Sequence, residues 1–327
     1  GDYMTHPSFI SIPSTGFWVG KFETGYKKAE TKEIAQSNTY NISKIEIKPN
    51  VYSWRGIQVA NAHLNSFNYE RNLDSHMMKN TEWGAVAYLT YSKYGINSKM
   101  RVNNSSDYKT GNVANIEMTC SNLTVGANDS LCNIYCSDNT CNDKYNSPTG
   151  YLGSTTGNVY GIYDMSGGAW EYTMSFFTDD NNALYIGVDN LRNSGFNGKY
   201  GNINAFNDND KSLQLNTGID LPDSKYYDTY HSSRVTWQQY YISFLGDFIK
   251  ESGPFANKTY ANSSSTQTIT INSWHEAYSA IGVNFYPVIM RGTSFSYGVT
   301  SDISAFTQWF GNAENNVSYR IVLSITK

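Results

Sequence analysis

The sequence predicts a mixed α+β fold with little regular secondary structure, two helices and long inserted loops. Three features predict this class. Short strand-like stretches lie near both ends of the 327-residue chain, and two stretches of helical periodicity lie between residues 57 and 95. Long polar stretches separate the strand-like stretches that follow the helices. A chain of this length suits one large domain or two ordinary ones.

The first strand and the first helix are each predicted by their periodicity. Residues 17–23 alternate sides and are rich in aromatic and branched residues, as in a half-buried strand. From residue 57 the apolar positions recur at helical spacing, which predicts a short amphipathic helix with one buried face. That face contains Ile57, Ala60, Leu64 and Phe67.

The second helix has predicted boundaries as well as a periodic face. Asn80 or Thr81 can cap its first turn, and Gly95 is a natural stop. The predicted buried face contains Trp83, Val86, Ala87 and Thr90.

Two long polar stretches, at about residues 97–157 and 178–285, are predicted to be inserts. Both are rich in Asn, Ser and other small polar residues, and loops this long are usually functional or disordered. Between them, residues 159–164 are strand-like and enter a glycine-rich turn. Strand character returns at residues 287–291 and 318–325.

All four cysteines lie in the first insert, at Cys120, Cys132, Cys136 and Cys141. An even, clustered set in a polar loop favours two local disulfides and an oxidising compartment. Zinc binding and free thiols are the alternatives, although the spacing lacks the paired C-x2-C knuckles that zinc ribbons favour. Four cysteines allow three pairings, which the spacing does not distinguish.

Charge and hydropathy exclude some partners. The net charge is −4 and no cluster of Lys and Arg is present, which disfavours a nucleic-acid partner. No run of 18 apolar residues occurs, so we expect no membrane span and place any anchor in a segment absent from this chain. With 27 tyrosines and an aromatic content of 15%, the chain suits a binding surface, or simply a Tyr-rich core.

Five segments, in order, resemble the sulfatase-modifying, formylglycine-generating-enzyme family, whose fold is C-type-lectin-like. They are residues 16–23 (GFWVGKFE), 80–87 (NTEWGAVA), 160–172 (YGIYDMSGGAWEY), 291–295 (RGTSF) and 319–320 (YR). The third segment is the strongest match, to the family's G-L-Y-D-M-x-G-N-V-W-E-W. Because the five segments bracket most of the chain, the resemblance implies a single domain over residues 1–327.

A narrower resemblance is to surface proteins of gut Firmicutes, carried by residues 74–83 (DSHMMKNTEW) and 221–228 (LPDSKYYD). Such proteins often have a type IV pilin-like N-terminus, which this chain lacks, and some are variable proteins of diversity-generating retroelements. The resemblance implies a variable, ligand-binding segment at residues 293–318. Its Asn, Ser, Thr, Tyr and Asp content suits adenine mutagenesis, although exposed loops are rich in these residues anyway.

The resemblance does not imply the family's oxidase activity. Formylglycine generation needs a thiolate pair near the C-terminal strands to bind copper, and no cysteine follows Cys141. The five histidines show no H-x-x-x-H or H-E-x-x-H pattern. We therefore expect no enzymatic activity, while a metal-dependent enzyme of the same fold stays an alternative.

The family resemblance also implies a structural calcium ion at the glycine-rich turn. The four corresponding residues are Asp164, Gly167, Ala169 and Glu171. Calcium takes six to eight oxygen ligands and mixes carboxylates with carbonyls, and Gly167-Gly168 permits a tight turn. The alternative is that Asp164 caps the turn and Glu171 pairs with a base such as Arg291.

Aromatic and short polar residues alternate in the segment 293–318, as is typical of recognition surfaces. We expect Phe295 and Phe306 to be buried, Tyr297 and Trp309 to be exposed, and Arg291 and Arg320 to be structural. The predicted ligand-contacting residues are Thr293, Ser296, Tyr297, Thr300, Gln308, Trp309, Asn312 and Asn315.

These observations predict an extracellular or cell-surface domain, an adhesin or receptor-binding protein. Its expected ligand is an unidentified protein or glycan on a cell or phage surface. A structural pilus or surface-layer subunit, whose aromatic face would pack on its own copies, is the main alternative. No Glu-Pro-Asn or Gln-Pro-Asp sugar motif occurs, which argues against metal-bridged sugar binding.

Overall fold

A computed structural model describes residues 16–115, 141–178, 194–196, 221–231, 260–262, 268–271, 280–282 and 287–324. These ranges contain two α-helices, α1 (Val59–Phe67) and α2 (Asn80–Thr90), together with short strands. The strands are β1 (Phe17–Val19), β2 (Gly25–Tyr26), β3 (Ile45–Glu46), β4 (His76–Met77), β5 (Asn112–Ala114), β6 (Asn142–Lys144), β7 (Trp170–Thr178), β8 (Asp228–His231), β9 (Tyr260–Asn262), β10 (Thr268–Ile271), β11 (Ala280–Gly282), β12 (Val288–Arg291), β13 (Phe306–Trp309), β14 (Val317–Tyr319) and β15 (Ile321–Ser324). The prediction of a mixed α+β class with little regular structure is confirmed.

The largest described sheet is built around β7. Strand β12 pairs antiparallel with one edge of β7, and β13 pairs antiparallel with β12. On the other edge, β14 pairs with the first part of β7 and β8 with the last part, both in parallel. Residues 170–177 of β7 are all buried, as expected of a central strand covered on both faces.

A second sheet joins the two ends of the described chain. Strand β15 lies between β1 and β4 and pairs antiparallel with both, so that Phe17 is opposite Ser324. The strand predicted over residues 17–23 ends early, at Val19, and Glu23 lies in the protein interior instead of continuing the strand. The remaining pairs are β2–β3 and β5–β6, and β9, β10 and β11 form a three-stranded sheet.

Both predicted helices are present. Helix α1 begins at Val59, and Ile57 is buried just before it, while Leu64 and Phe67 are only half-buried. Helix α2 begins at Asn80, one residue before one of its two predicted caps, and its N-cap is Lys79. The Glu82 carboxylate accepts a hydrogen bond from the Lys79 backbone N–H at 2.9 Å and so satisfies the first turn.

The ends of the first predicted insert belong to the packed structure. Val102 and Val113 are buried, and Val113 packs with Phe22 and Tyr163 in one apolar cluster. The predicted excursion over 97–157 is therefore too long, because residues 97–115 and 141–157 contribute to the fold at both of its ends. Cys141 is disulfide-bonded, and the other three predicted disulfide cysteines lie outside the described residues.

The second predicted insert is described only in part. Within 178–285, Leu221, Tyr226 and Tyr230 are buried, and β8 extends the large sheet. Most of the other residues in this range lie outside the described ranges. Neither of the two described helices is long and apolar enough to cross a membrane.

Candidate functional site

Two carboxylates are buried here, Asp164 in the glycine-rich turn before β7 and Glu171 in β7 itself. Asp164 has a left-handed backbone (φ 64°), and its carboxylate accepts hydrogen bonds from Asn103 Nδ2 and the Gly111 N–H, both at 2.8 Å. A longer contact, 3.4 Å, comes from the Glu23 N–H. Burial raises the pKa of Asp164 to about 6, although these donors and Arg320 oppose the shift.

Glu171 forms a buried ion pair with Arg320. Arg320 Nε donates to Glu171 Oε2 at 3.0 Å, and Nη2 donates to the other carboxylate oxygen. The same guanidinium donates to the carbonyls of Gly20, at 2.7 Å, and Tyr163, at 3.0 Å. Burial raises the pKa of Glu171 to about 7 even though Arg320 pulls it down. The predicted pairing of Glu171 with a base is confirmed, but that base is Arg320 and not Arg291.

Arg291 is also structural, as predicted. It is fully buried and donates to Asn80 Oδ1 at 3.0 Å and to the Ile303 carbonyl at 3.3 Å. Its guanidinium carbon lies 5.8 Å from the ring centroids of both Trp83 and Phe306. Burial lowers the pKa of Arg291 to about 9. Arg291 therefore ties the start of α2 to β12.

Glu23 is a third buried carboxylate that the sequence analysis did not single out. It accepts hydrogen bonds from Ser53 Oγ and, at 2.9 Å, from the Ala169 N–H. Burial, followed by repulsion from Glu171 and Asp164, raises its pKa well above the usual value. The only sequence signal was its place at the end of the strand motif in residues 16–23.

The two glycines of the turn are required by close contacts. Gly167 and Gly168 both have left-handed backbones, with φ of 77° and 72°. A Cβ at Gly167 would lie 2.3 Å from Val102 Cγ1, and one at Gly168 would lie 2.6 Å from Glu23 Oε1. The predicted role of these glycines in a tight turn is confirmed.

The two carboxylates predicted to bind calcium already have hydrogen-bond partners within the protein. Asp164 and Glu171 accept the hydrogen bonds described above, and the Gly167 N–H donates to the Gly292 carbonyl at 2.9 Å. Ala169 is buried, and its N–H is held by Glu23. In the described ranges no three His, Cys, Asp or Glu residues are grouped so as to hold a metal ion. Calcium binding at these four residues stays a prediction.

The segment 293–318 is more buried than predicted. Of the eight predicted contact residues, Thr293, Thr300 and Gln308 are buried, with exposed fractions of 0%, 7% and 5%. These three cannot contact a ligand on this surface, because β13 and the turns around it pack them into the interior. The five that reach solvent are Ser296, Tyr297, Trp309 and Asn312, which are half-buried, and Asn315, which is exposed. We call these five residues the contact face.

The aromatic side chains of this segment divide differently from the prediction. Phe306 is buried as expected, but Phe295 is half-buried, because its ring lies edge-on to Tyr108 at a centroid distance of 5.0 Å. Tyr297 is half-buried rather than exposed, since it packs edge-on against Trp170 at 5.3 Å. Trp309 is likewise half-buried and packs against Phe310 at 5.5 Å.

A hydrogen-bonded loop connects the two aromatic ends of the contact face. Trp309 Nε1 and Asn312 Nδ2 both donate to Glu314 Oε1, at 2.9 and 2.8 Å. The Asn312 carbonyl accepts a hydrogen bond from the Tyr172 hydroxyl at 2.9 Å. At the far end of the loop, the Trp170 N–H donates to the Asn316 carbonyl at 2.9 Å. The ring of this same Trp170 is the one against which Tyr297 packs. The loop is therefore fixed at both ends by the large sheet.

In comparisons with known proteins, no family model matches the chain and no curated protein matches it.

Proposed function

We propose that this chain is an extracellular ligand-binding domain of the C-type-lectin-like, formylglycine-generating-enzyme type, which binds a protein or glycan through the contact face. The proposal rests on one observation above all. Aromatic and amide side chains, Tyr297, Trp309, Asn312 and Asn315, reach solvent from backbone that the central sheet holds rigidly. Rigid aromatic anchors beside adaptable polar groups are typical of recognition surfaces.

The buried residues beneath the contact face support a scaffold role. Arg291 and Arg320 flank the segment 293–318 and are both fully buried in contacts with the protein's own groups. A segment held between two such anchors can change at its solvent-facing positions without loss of the core. This arrangement suits a variable protein of a diversity-generating retroelement, in which substitutions would fall at the contact face. The disulfide at Cys141 supports an extracellular or cell-surface location.

The binding test uses a glycan array and an array of extracellular proteins, both probed with the full chain. For any spot that binds, we expect Tyr297→Ala and Trp309→Ala each to lower affinity at least tenfold, because central aromatic residues dominate such contacts. Tyr40→Ala is the matched control, since Tyr40 is 50% exposed and lies outside the contact face. Equal binding by all three variants would contradict the proposal, as would the absence of any bound spot.

The diversification test is the DNA around the encoding gene. We expect a near-identical template copy of the region encoding residues 293–318 beside a reverse-transcriptase gene, with differences confined to adenines. We further expect those adenines to fall in codons for solvent-facing residues such as Tyr297 and Asn315, and not in the codons for Arg291 or Arg320. Differences spread over all four bases would argue against diversification.

A further inference from the structure

A second surface, distant in sequence from the contact face, has the features of a protein-binding groove. A cavity of about 540 Å³ lies between β1 and α2. Strand β1 contributes Phe17, Trp18 and Val19 to its wall, and α2 contributes Ala85, Val86 and Leu89. No residue of the segment 293–318 lines it.

Exposed aromatic residues surround this groove. Trp18, Tyr94 and Tyr160 line it, and their exposed fractions are 65%, 72% and 88%. Large aromatic side chains so open to water are costly to leave uncovered, and Trp and Tyr dominate the binding energy of protein interfaces. The groove therefore offers an apolar floor with three aromatic anchors at its margin.

Strand β1 has backbone hydrogen-bonding groups on the edge that faces away from β15. In an antiparallel pair, residues alternate between those bonded to the partner strand and those whose N–H and C=O point away. The Gly20 N–H donates to the Ile321 carbonyl at 2.9 Å, so Gly20 and Trp18 face β15. Phe17 and Val19 consequently direct their backbone groups away from β15, and β1 is the edge of its described sheet. The next outward carbonyl, that of Lys21, accepts a hydrogen bond from the Tyr163 N–H at 2.8 Å.

The groove also carries a positive charge. Among the described residues that line it, Lys21 is the only charged one, and none of them is Asp or Glu. The Lys21 ammonium lies 5.8, 5.3 and 5.7 Å from the ring centroids of Phe22, Tyr145 and Tyr163. Ring faces attract a cation but do not neutralise it. A carboxylate on a partner would complement this charge.

We propose that this groove binds an extended peptide segment of another protein. The peptide adds a strand to β1 through the backbone groups of Phe17 and Val19, places apolar side chains against α2, and sets a carboxylate beside Lys21. Only an extended backbone supplies donors and acceptors at the strand spacing. A second copy of this chain fits less well, because its own β1 lies in the wall of the same concave groove and does not project from the surface.

The test selects from a displayed library of random nine-residue peptides on the immobilised full chain. We expect enriched peptides to carry alternating apolar residues with an acidic residue near them. Synthetic copies should bind the full chain at least tenfold more tightly than Lys21→Glu or Trp18→Ala. Tyr40→Ala, which removes an exposed ring outside the groove, should bind as the parent does. Alternate N-methylation of the peptide backbone should abolish binding, since it removes the strand hydrogen bonds.

Several outcomes would overturn the proposal. The first is that peptides are enriched no more on the full chain than on the Trp18→Ala variant. The others are binding that Lys21→Glu does not weaken and full binding by the N-methylated peptide. Concentration-dependent dimerisation that Trp18→Ala abolishes would instead identify a second copy as the occupant. None of these results depends on the contact face. The Tyr297→Ala and Trp309→Ala variants should therefore bind the selected peptides with the affinity of the parent.

Discussion

At the scale of single residues, Thr293 occupies a backbone conformation that its side chain disfavours. Its φ is 64°, in the left-handed region, and it is completely buried just after Gly292. A β-branched residue there costs about 1–2 kcal/mol relative to glycine. The Thr293 hydroxyl donates a hydrogen bond to the carbonyl of the preceding residue, Gly292, at 2.5 Å.

We therefore expect Thr293→Gly to increase the free energy of unfolding by about 1 kcal/mol. Equilibrium urea unfolding followed by tryptophan fluorescence measures the change. The matched control is Thr307→Gly in β13, which is half-buried and has no left-handed backbone, and which should destabilise the protein by about 1 kcal/mol. A destabilised Thr293→Gly protein would show that strain at this residue is negligible.

Three buried carboxylates, Glu23, Asp164 and Glu171, lie near one arginine, Arg320, which forms hydrogen bonds with Glu171 and interacts with the other two electrostatically. Their pKa values are all raised, mainly by burial, so the folded protein retains protons that the unfolded chain releases. Stability from this effect is fully present below about pH 4, where both states are protonated. It is lost as pH rises through the folded pKa values of about 6 for Asp164 and about 7 for Glu171.

We expect Glu23→Gln to reduce this pH dependence, because the amide cannot ionise and removes repulsion from the other two carboxylates. At pH 8 the variant should be more stable than the parent, and at pH 4.5 the two should be nearly equal. Urea unfolding at both pH values measures the difference in stability between the variant and the parent. Because both proteins contain the same histidines, the effects of histidine titration cancel in this difference. A variant that is equally destabilised at both pH values would contradict the explanation that ionisation of Glu23 lowers the stability of the parent at high pH.

At the scale of elements, helix α2 is capped from a distant part of the chain. The Asp228 carboxylate, at the start of β8, accepts hydrogen bonds from the Thr81 N–H at 2.9 Å and from the Thr81 hydroxyl at 3.0 Å. An acidic group is favoured at a helix N-terminus, where backbone N–H groups lack partners. This contact joins two strings singled out in the sequence, residues 74–83 and 221–228. Asp74 reinforces it by accepting from Tyr226 at 2.6 Å.

We expect Asp228→Ala to destabilise the protein by about 1–3 kcal/mol, since it leaves the buried donors of Thr81 without an acceptor. Asp223→Ala is the matched control. Asp223 caps a short 3₁₀ helix, Ser224–Tyr226, on the surface, and its loss should cost less than about 1 kcal/mol. Denaturant unfolding compares the two, and equal losses would mean that capping of α2 from β8 contributes little.

At the scale of the whole molecule, calcium binding would stabilise the folded state by mass action. With calcium bound at the turn, addition of a chelator should lower the thermal midpoint, and Glu171→Gln should remove that response. An unchanged midpoint would contradict the calcium prediction. It would leave the Glu171–Arg320 ion pair and the donors to Asp164 as the contacts that close the turn.

Much of the local structure followed from the sequence because its causes are local. The periodic positions around Ile57 and Trp83 located both helices, and alternation located the start of β1. The turn at Gly167-Gly168 was recognisable because only glycine tolerates its backbone and contacts. The same reasoning overestimated the first insert, because polar composition does not reveal that Val102 is buried or that Val113 packs with Phe22 and Tyr163.

The primary structure alone was enough to predict the mixed α+β class, the two helices, the glycine turn and the structural role of the two arginines. Each follows from spacing or from the cost of burying a charge without a partner. The folded arrangement was needed to show which base pairs with Glu171, that Glu23 lies beside Asp164 and Glu171, and which residues of 293–318 reach solvent. Those outcomes depend on contacts between residues more than a hundred positions apart, and one-dimensional periodicity carries no information about such pairings.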